Sequence, residues 1–250
     1  MPRGPRKAPG GLIYHVLNRA AGRRRIFNTE SDYAAFEKVL AEAVARYGMR
    51  LLAWCIMPNH WHLVAWPRED GELSAFMRWL CTTHVRRWQQ HRHRQGEGHL
   101  YQGRYKNFPV QAEGLSTGAH LLSVCRYVER NPLRAKTVRR AERYRWSSLR
   151  ARAGLRPGLR PAAPVIPWPN DLPALEPEPW PVEAPAGAEW VSFVNEPQTD
   201  KELEALRASV RRGRPYGGEQ WQRQTAAALG LEFTFRRRGP VPKAMTPSEA

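Results

Sequence analysis

The chain has 250 residues, with 40 Lys and Arg against 23 Asp and Glu and a formal charge of +17. A mean hydropathy of −0.64, with no apolar run near the roughly 18 residues a bilayer demands, excludes a membrane span. Three widely spaced cysteines without a CxxC exclude a disulfide scaffold or cysteine zinc site and suit the reduced thiols of a cytoplasm. The basic N-terminus has no apolar stretch behind it, so no signal peptide is expected. A basic, soluble protein with an acidic polymer as partner remains.

In chain order, residues 1–10 read as a basic, disordered start. Residues 11–17 read as a first strand. Thr29 and Asp32 resemble a capping box, and Tyr33, Phe36, Val39, Leu40, Ala43, Val44 and Tyr47 repeat at helical spacing up to Gly48. Two apolar runs, 51–57 and 61–66, read as buried strands separated by Pro58-Asn59. A second helix is expected over about 72–91, a strand over 105–111 and a third helix over about 116–130. The order β-α-β-β-α-β-α predicts an α+β fold: an antiparallel sheet with helices packed on one face.

Charge divides the chain. Residues 1–150 carry 27 Lys and Arg and 11 Asp and Glu; residues 161–200 carry seven acids and no base. Half of the 22 prolines lie within 157–197, which predicts an extended linker unable to sustain helix hydrogen bonds. The expected organisation is a basic domain over 11–150, an acidic Pro-rich linker over 151–200 and a basic DNA-binding tail over 201–250.

The most informative stretch is Met57-Pro58-Asn59-His60-Trp61-His62. Residues two apart on a strand share a face, so His60 and His62 point together while Trp61 faces the core. Two such imidazoles can ligate one divalent metal, or can be two half-exposed strand histidines. His91-Arg92-His93 has the same spacing in a polar, basic run and reads as surface or phosphate-facing. Tyr127 and Asn131, four apart, share a helix face, and His120 falls near it. Tyr127, flanked by arginines, is placed to meet a phosphodiester, or is an amphipathic residue at the domain surface. Asn131 before Pro132 also reads as the cap of a following helix.

His60-Trp61-His62 after Met-Pro-Asn, Tyr127-x-x-x-Asn131-Pro-x-Arg-Ala, Tyr101-Gln102-Gly103-Arg104-Tyr105-Lys106 and the early Tyr14-His15-Val16-Leu17-Asn18-Arg19 together resemble the single-tyrosine HUH transposases. Within these, the branch associated with repetitive extragenic palindromes is the most similar. The resemblance covers roughly 11–150. It implies a ferredoxin-like sheet, a divalent cation (Mg²⁺ or Mn²⁺) held by His60 and His62, and Tyr127 as the nucleophile that nicks single-stranded DNA. It also implies a third metal ligand at Asn131. The expected partner is single-stranded DNA with palindromic hairpins, bound by a monomer or a homodimer in the cytoplasm at the nucleoid. The implied product is a 5′-phosphotyrosine and a free 3′-OH, with strand rejoining rather than hydrolysis.

Basic residues supply candidate DNA contacts: Arg19 after the first strand, Arg104 and Lys106 beside the stacking faces of Tyr101 and Tyr105, and Arg134 beyond the tyrosine helix. In the tail, Arg212 and Arg214 lie in an Arg-Gly-Arg-Pro core similar to an AT-hook, an extended segment for a minor groove. Each of these also reads as a solvated basic face. His15 and His84 are expected as satisfied core histidines, and Cys125 as a buried thiol. Two competing readings stand beside the enzyme. One is a catalytically inactive DNA-binding regulator of the same fold; the other is an RNA-binding α+β domain.

Overall fold

A computed structural model of the chain describes residues 7–96, 98–112, 118–154 and 175–236. The N-terminal segment before residue 7, the central part of the expected linker and the end of the tail lie outside the described residues. Among the described residues, four strands form one antiparallel sheet: β1 (Ile13–Arg19), β2 (Arg50–Met57), β3 (His60–Trp66) and β4 (Lys106–Val110), in the order β2-β3-β1-β4. With α1 (Glu30–Tyr47) between β1 and β2, and α2 (Glu72–His91) between β3 and β4, this is the expected ferredoxin-like β-α-β-β-α-β arrangement.

The local signals produce these elements as read. Thr29 caps α1: its side chain accepts from the backbone of Asp32, whose carboxylate accepts from the backbone of Thr29 in return. Gly48 ends α1 at φ +59°, a conformation that Gly adopts without a Cβ penalty. Phe36, Leu40, Phe76 and Leu80 of α1 and α2 bury one sheet face together with Val16, Trp61 and Leu63.

The other sheet face is covered as well, beyond the single helical layer expected from the sequence. There α3 (Ala119–Glu129) buries Leu121, Val124, Cys125 and Val128 against Leu52, Cys55, Val64 and Phe108. A register shift between Leu51 and Ala53 turns both Leu52 and Ala53 toward this side. The continuous apolar runs of β2 and β3 are therefore those of strands buried on two faces.

The expected linker is only partly a linker. Within 151–200, α6 (Gly187–Asn195) is a helix that buries Trp190 and Val194 in the α3-side core. Before it come the short helices α4 (Asn131–Arg134) and α5 (Leu149–Arg152). The helix fits because its nine residues contain no proline, although the surrounding segment is rich in it. After it come α7 (Asp200–Arg212) and α8 (Glu219–Leu229). Arg212, expected in an extended hook, lies in the last turn of α7. Among the described residues no helix is long and apolar enough to cross a membrane.

Candidate active site at the histidine strand

Strand alternation places His60 and His62 on the α3 side of β3, and Trp61 on the opposite side, fully buried, where its Nε1 donates to the Tyr101 hydroxyl at 2.9 Å. The rings of His60 and His62 lie 5.0 Å apart. Tyr127, on α3, stands edge-on to His62 at 6.0 Å between ring centroids and to His15 at 6.2 Å. The tyrosine and the two strand histidines thus meet within one chain. The guanidinium of Arg134 lies over the Tyr127 ring at 4.0 Å.

Hydrogen bonds fix the imidazoles. Asn59 Nδ2 donates to the carbonyl of Arg23, so its Oδ1 faces His60 Nδ1 at 2.6 Å. An amide oxygen only accepts, so His60 carries its proton on Nδ1 and keeps the Nε2 lone pair. His62 Nδ1 meets His15 Nε2 at 2.8 Å. Among the described residues neither His60 Nε2 nor His62 Nε2 takes part in a hydrogen bond.

The electrostatics keep these rings neutral. Burial, reinforced by the positive charges of Arg19 and Arg134, pushes the His60 pKa down to about 3. Burial, with His15 and His60 as neighbours, holds His62 well below its ordinary value. Burial alone brings His15 to about 3. Neutral imidazoles are the form that ligates a metal. Among the described residues no three His, Cys, Asp or Glu side chains are grouped to hold an ion.

Two guanidinium atoms at this site are buried without a hydrogen-bond partner among the described residues: Arg19 Nε and Arg134 Nη1. Both guanidinium groups bring positive charge next to His60.

Asn131 is the first residue of α4, buried, one turn beyond Tyr127; Arg130 occupies the cap position, so Asn131 does not act as the cap. Pro132 brings no N–H to the helical ladder, and α3 accordingly stops at Glu129 before α4 begins. His120 packs edge-on against Tyr216 instead of joining Tyr127. Arg104 and Lys106 are exposed at the start of β4, at the sheet end that carries His60 and Arg19. Tyr101 and Tyr105 are buried, so the stacking faces expected beside them are turned inward. Arg212 donates to the carbonyls of Thr234 and Arg236, and Arg214 lies over Phe235 at 4.2 Å.

His84 is a satisfied core histidine as expected, bonded to the Tyr101 hydroxyl at 2.6 Å, and Cys125 is a buried thiol. His15 is buried as expected, but it belongs to the site. Its part is visible only once the β1–β3 register is known, because that register sets it beside the histidine strand.

A second network holds the tyrosine helix. The fully buried Glu129 accepts from Ser148 Oγ at 2.5 Å and from Trp190 Nε1 of α6 at 2.6 Å, with Arg152 at 3.6 Å. Burial raises its pKa, opposed by Arg152 and by the two hydrogen bonds. Arg126 donates to the carbonyls of Glu196 and Pro197, Arg130 to those of Val194 and Asn195, and Gln198 to that of Ser123. Residues 190–198 thus form a strap along α3.

Residues 10–131 match the family model described as IS200-like transposase, just under half of the chain. Among solved structures, a REP-associated tyrosine transposase bound to a REP hairpin is 17% identical, with a TM-score of 0.48; the match covers 64% of this chain and 89% of that one. A Deinococcus radiodurans protein assigned as a transposase is 21% identical, with a TM-score of 0.34, covering 44% of this chain and 87% of that one. No curated protein sequence matches the chain significantly. Through residues 10–131, which carry the whole sheet, α1, α2 and the Tyr127 helix, the chain is similar to the IS200-like transposases.

Proposed function

We propose that this chain is a transposase that cleaves and rejoins single-stranded DNA at palindromic hairpins, with Tyr127 as the nucleophile. The observation that carries the reading is the convergence of Tyr127, the neutral pair His60–His62 and the guanidinium groups of Arg19 and Arg134 on one sheet face.

The donor set fits a divalent cation. His60 and His62 would hold it through Nε2, with the amide oxygen of Asn131 as a third ligand, and Mg²⁺ or Mn²⁺ suits this mixture of imidazole and oxygen. When bound, the ion would polarise the scissile phosphate. Asn59 and His15 hold the two imidazoles in place from behind. Arg134 attracts the negative charge that develops on the phenol oxygen, and Arg19 binds a phosphate oxygen.

In the reaction the Tyr127 oxygen forms a bond to phosphorus and gives up its proton, while the bond from phosphorus to the 3′ oxygen breaks and that oxygen takes up a proton. One phosphodiester becomes a 5′-phosphotyrosine plus a 3′-OH, so the bond energy is conserved for rejoining.

The test uses 3′-labelled single-stranded DNA carrying the palindromes that flank the gene, mixed with the full chain and Mn²⁺ or Mg²⁺ and run on a denaturing protein gel. A labelled protein band that requires metal and disappears in Tyr127→Phe is expected. Tight DNA binding without a band under either metal would overturn the reading in favour of a non-cleaving regulator.

A further inference from the structure

On the sheet face opposite the histidines, a groove of about 790 Å³ runs between α2 and residues 98–105, with Asn18 of β1 at its floor. The α2 wall is a stripe from Ser74 to Gln89 at three- and four-residue spacing, about 22 Å long at 1.5 Å per residue. Its apolar lining on α2 is Cys81 and Val85, both partly exposed, while Met77 and Leu100 are buried behind them; the lining also includes Arg78, Arg86 and Arg104, all exposed. No Asp or Glu is among the described lining residues.

The arginines of this region divide by side. On the α1 side, Arg87 is paired with Glu42 at 2.8 Å and Arg92 with Asp32 at 2.7 Å. On the groove side, no ion pair or hydrogen bond engages Arg78 or Arg86 among the described residues. A solvated helix face would show interspersed acids. This stripe combines partly exposed apolar side chains with guanidinium groups that no acid neutralises, which complements a nucleobase and its phosphates.

The groove also joins the site. Asn18 is followed directly by Arg19, which is in register with His60 on β3, and Gln102 N–H donates to the Arg19 carbonyl at 2.9 Å. Arg19, Arg104 and Lys106 therefore line one sheet end, over which a strand can pass from the histidine face into the groove.

We propose that the groove between α2 and residues 98–105 receives an unpaired nucleotide of the DNA strand near the cleaved bond, its base against Cys81 and Val85 and its phosphates on Arg78 and Arg86. The inference rests on the single-stranded DNA reading above and adds a subsite to it.

The test measures metal-free binding of the full chain to two fluorescein-labelled hairpin oligonucleotides, one with oligothymidine arms and one blunt, by anisotropy in EDTA. Arg78→Ala/Arg86→Ala, both at exposed positions, is expected to weaken the armed hairpin about tenfold and leave the blunt one unchanged. Its salt dependence should flatten by about 1.4 in log K against log salt, at about 0.7 per phosphate contact on a single strand. Thr82→Trp, which fills the groove from an exposed position, should abolish the penalty of an abasic site at one arm position. Equal loss on blunt and armed hairpins would show general electrostatic attraction and overturn the inference, as would wild-type affinity in both variants. Covalent adduct formation in the groove variants with unchanged arm binding would remove the subsite alone. Groove-dependent arm binding by a wild type that never forms an adduct would remove the cleavage reading alone.

Discussion

His15 Nε2 and His62 Nδ1, 47 residues apart in the chain, meet at 2.8 Å inside the α3-side core. One proton serves that contact. If it sits on His62, the His62 Nε2 lone pair is available to a metal and His15 acts as acceptor. If it sits on His15, His62 Nε2 bears a hydrogen and cannot ligate. The partner of His62 thereby decides whether the second strand histidine can act as a ligand.

Substituting His15→Phe should therefore weaken Mn²⁺ binding by about 10- to 100-fold, the usual effect of losing an outer partner of a metal-bound histidine. His15→Gln, whose amide oxygen can accept the same proton, should recover part of it. Manganese titration followed by electron paramagnetic resonance reads this directly, and metal-free DNA affinity should stay constant. Wild-type manganese affinity in His15→Phe would show that the contact only fills space.

Arg134→Ala should slow adduct formation by about 10²- to 10³-fold, the range for removing one preorganised donor at a developing charge. Arg134→Lys should recover little, because an ammonium cannot present the planar fork lying over Tyr127. Single-turnover assays at saturating DNA separate this from weaker binding. An unchanged rate constant would place Arg134 outside the chemistry.

The histidines set an acid sensitivity. His84 is buried with its pKa lowered to about 3, whereas unfolding returns it to about 6.5. Below pH 6.5 the unfolded chain takes up a proton that the folded chain refuses until about pH 3. The contribution is thus complete above pH 6.5 and is lost as pH falls, at about 1.4 kcal/mol per pH unit. Glu37, raised to about 7 by burial, acts in the opposite sense between its unfolded value and pH 7, so a difference measurement is needed. Urea unfolding between pH 4 and 6 should show a slope lower by about 1.4 kcal/mol per pH unit in His84→Phe than in wild type.

Trp190→Ala should destabilise the fold by about 3–5 kcal/mol, since it empties a fully buried site and takes a donor from Glu129. Trp190→Phe keeps most of the volume and loses the N–H, and should cost about 1–3 kcal/mol. Chemical denaturation gives both numbers. A loss below about 1 kcal/mol for the alanine variant would show that α6 is not part of the cooperative unit.

Several elements were readable from neighbouring residues alone. The Thr29–Asp32 capping box and the Gly48 stop bounded α1, and the His-Trp-His alternation put two imidazoles on one face because strand side chains have a period of two. The β-α-β-β-α-β order likewise led to the sheet. These are consequences of local geometry, and local geometry is written in consecutive residues.

Other relations needed the assembled molecule. The approach of His15 to His62 depends on how β1 and β3 are aligned, and a one-residue slip would turn His15 to the other face. Trp190 and Val194 were hidden by the average composition of an acidic, Pro-rich stretch, and their burial is settled by the apolar face that β2, β3 and α3 leave to be covered. Arg78 and Arg87 look alike in sequence, yet one lines the groove and the other is paired with Glu42. Local spacing set the elements and the strand pairs that share a face, since these follow from periods of 2 and 3.6 residues. Tertiary structure alone decided the third histidine, the strap on the tyrosine helix and which arginines remain unpaired, since those contacts join residues whose separation is set by register and core packing.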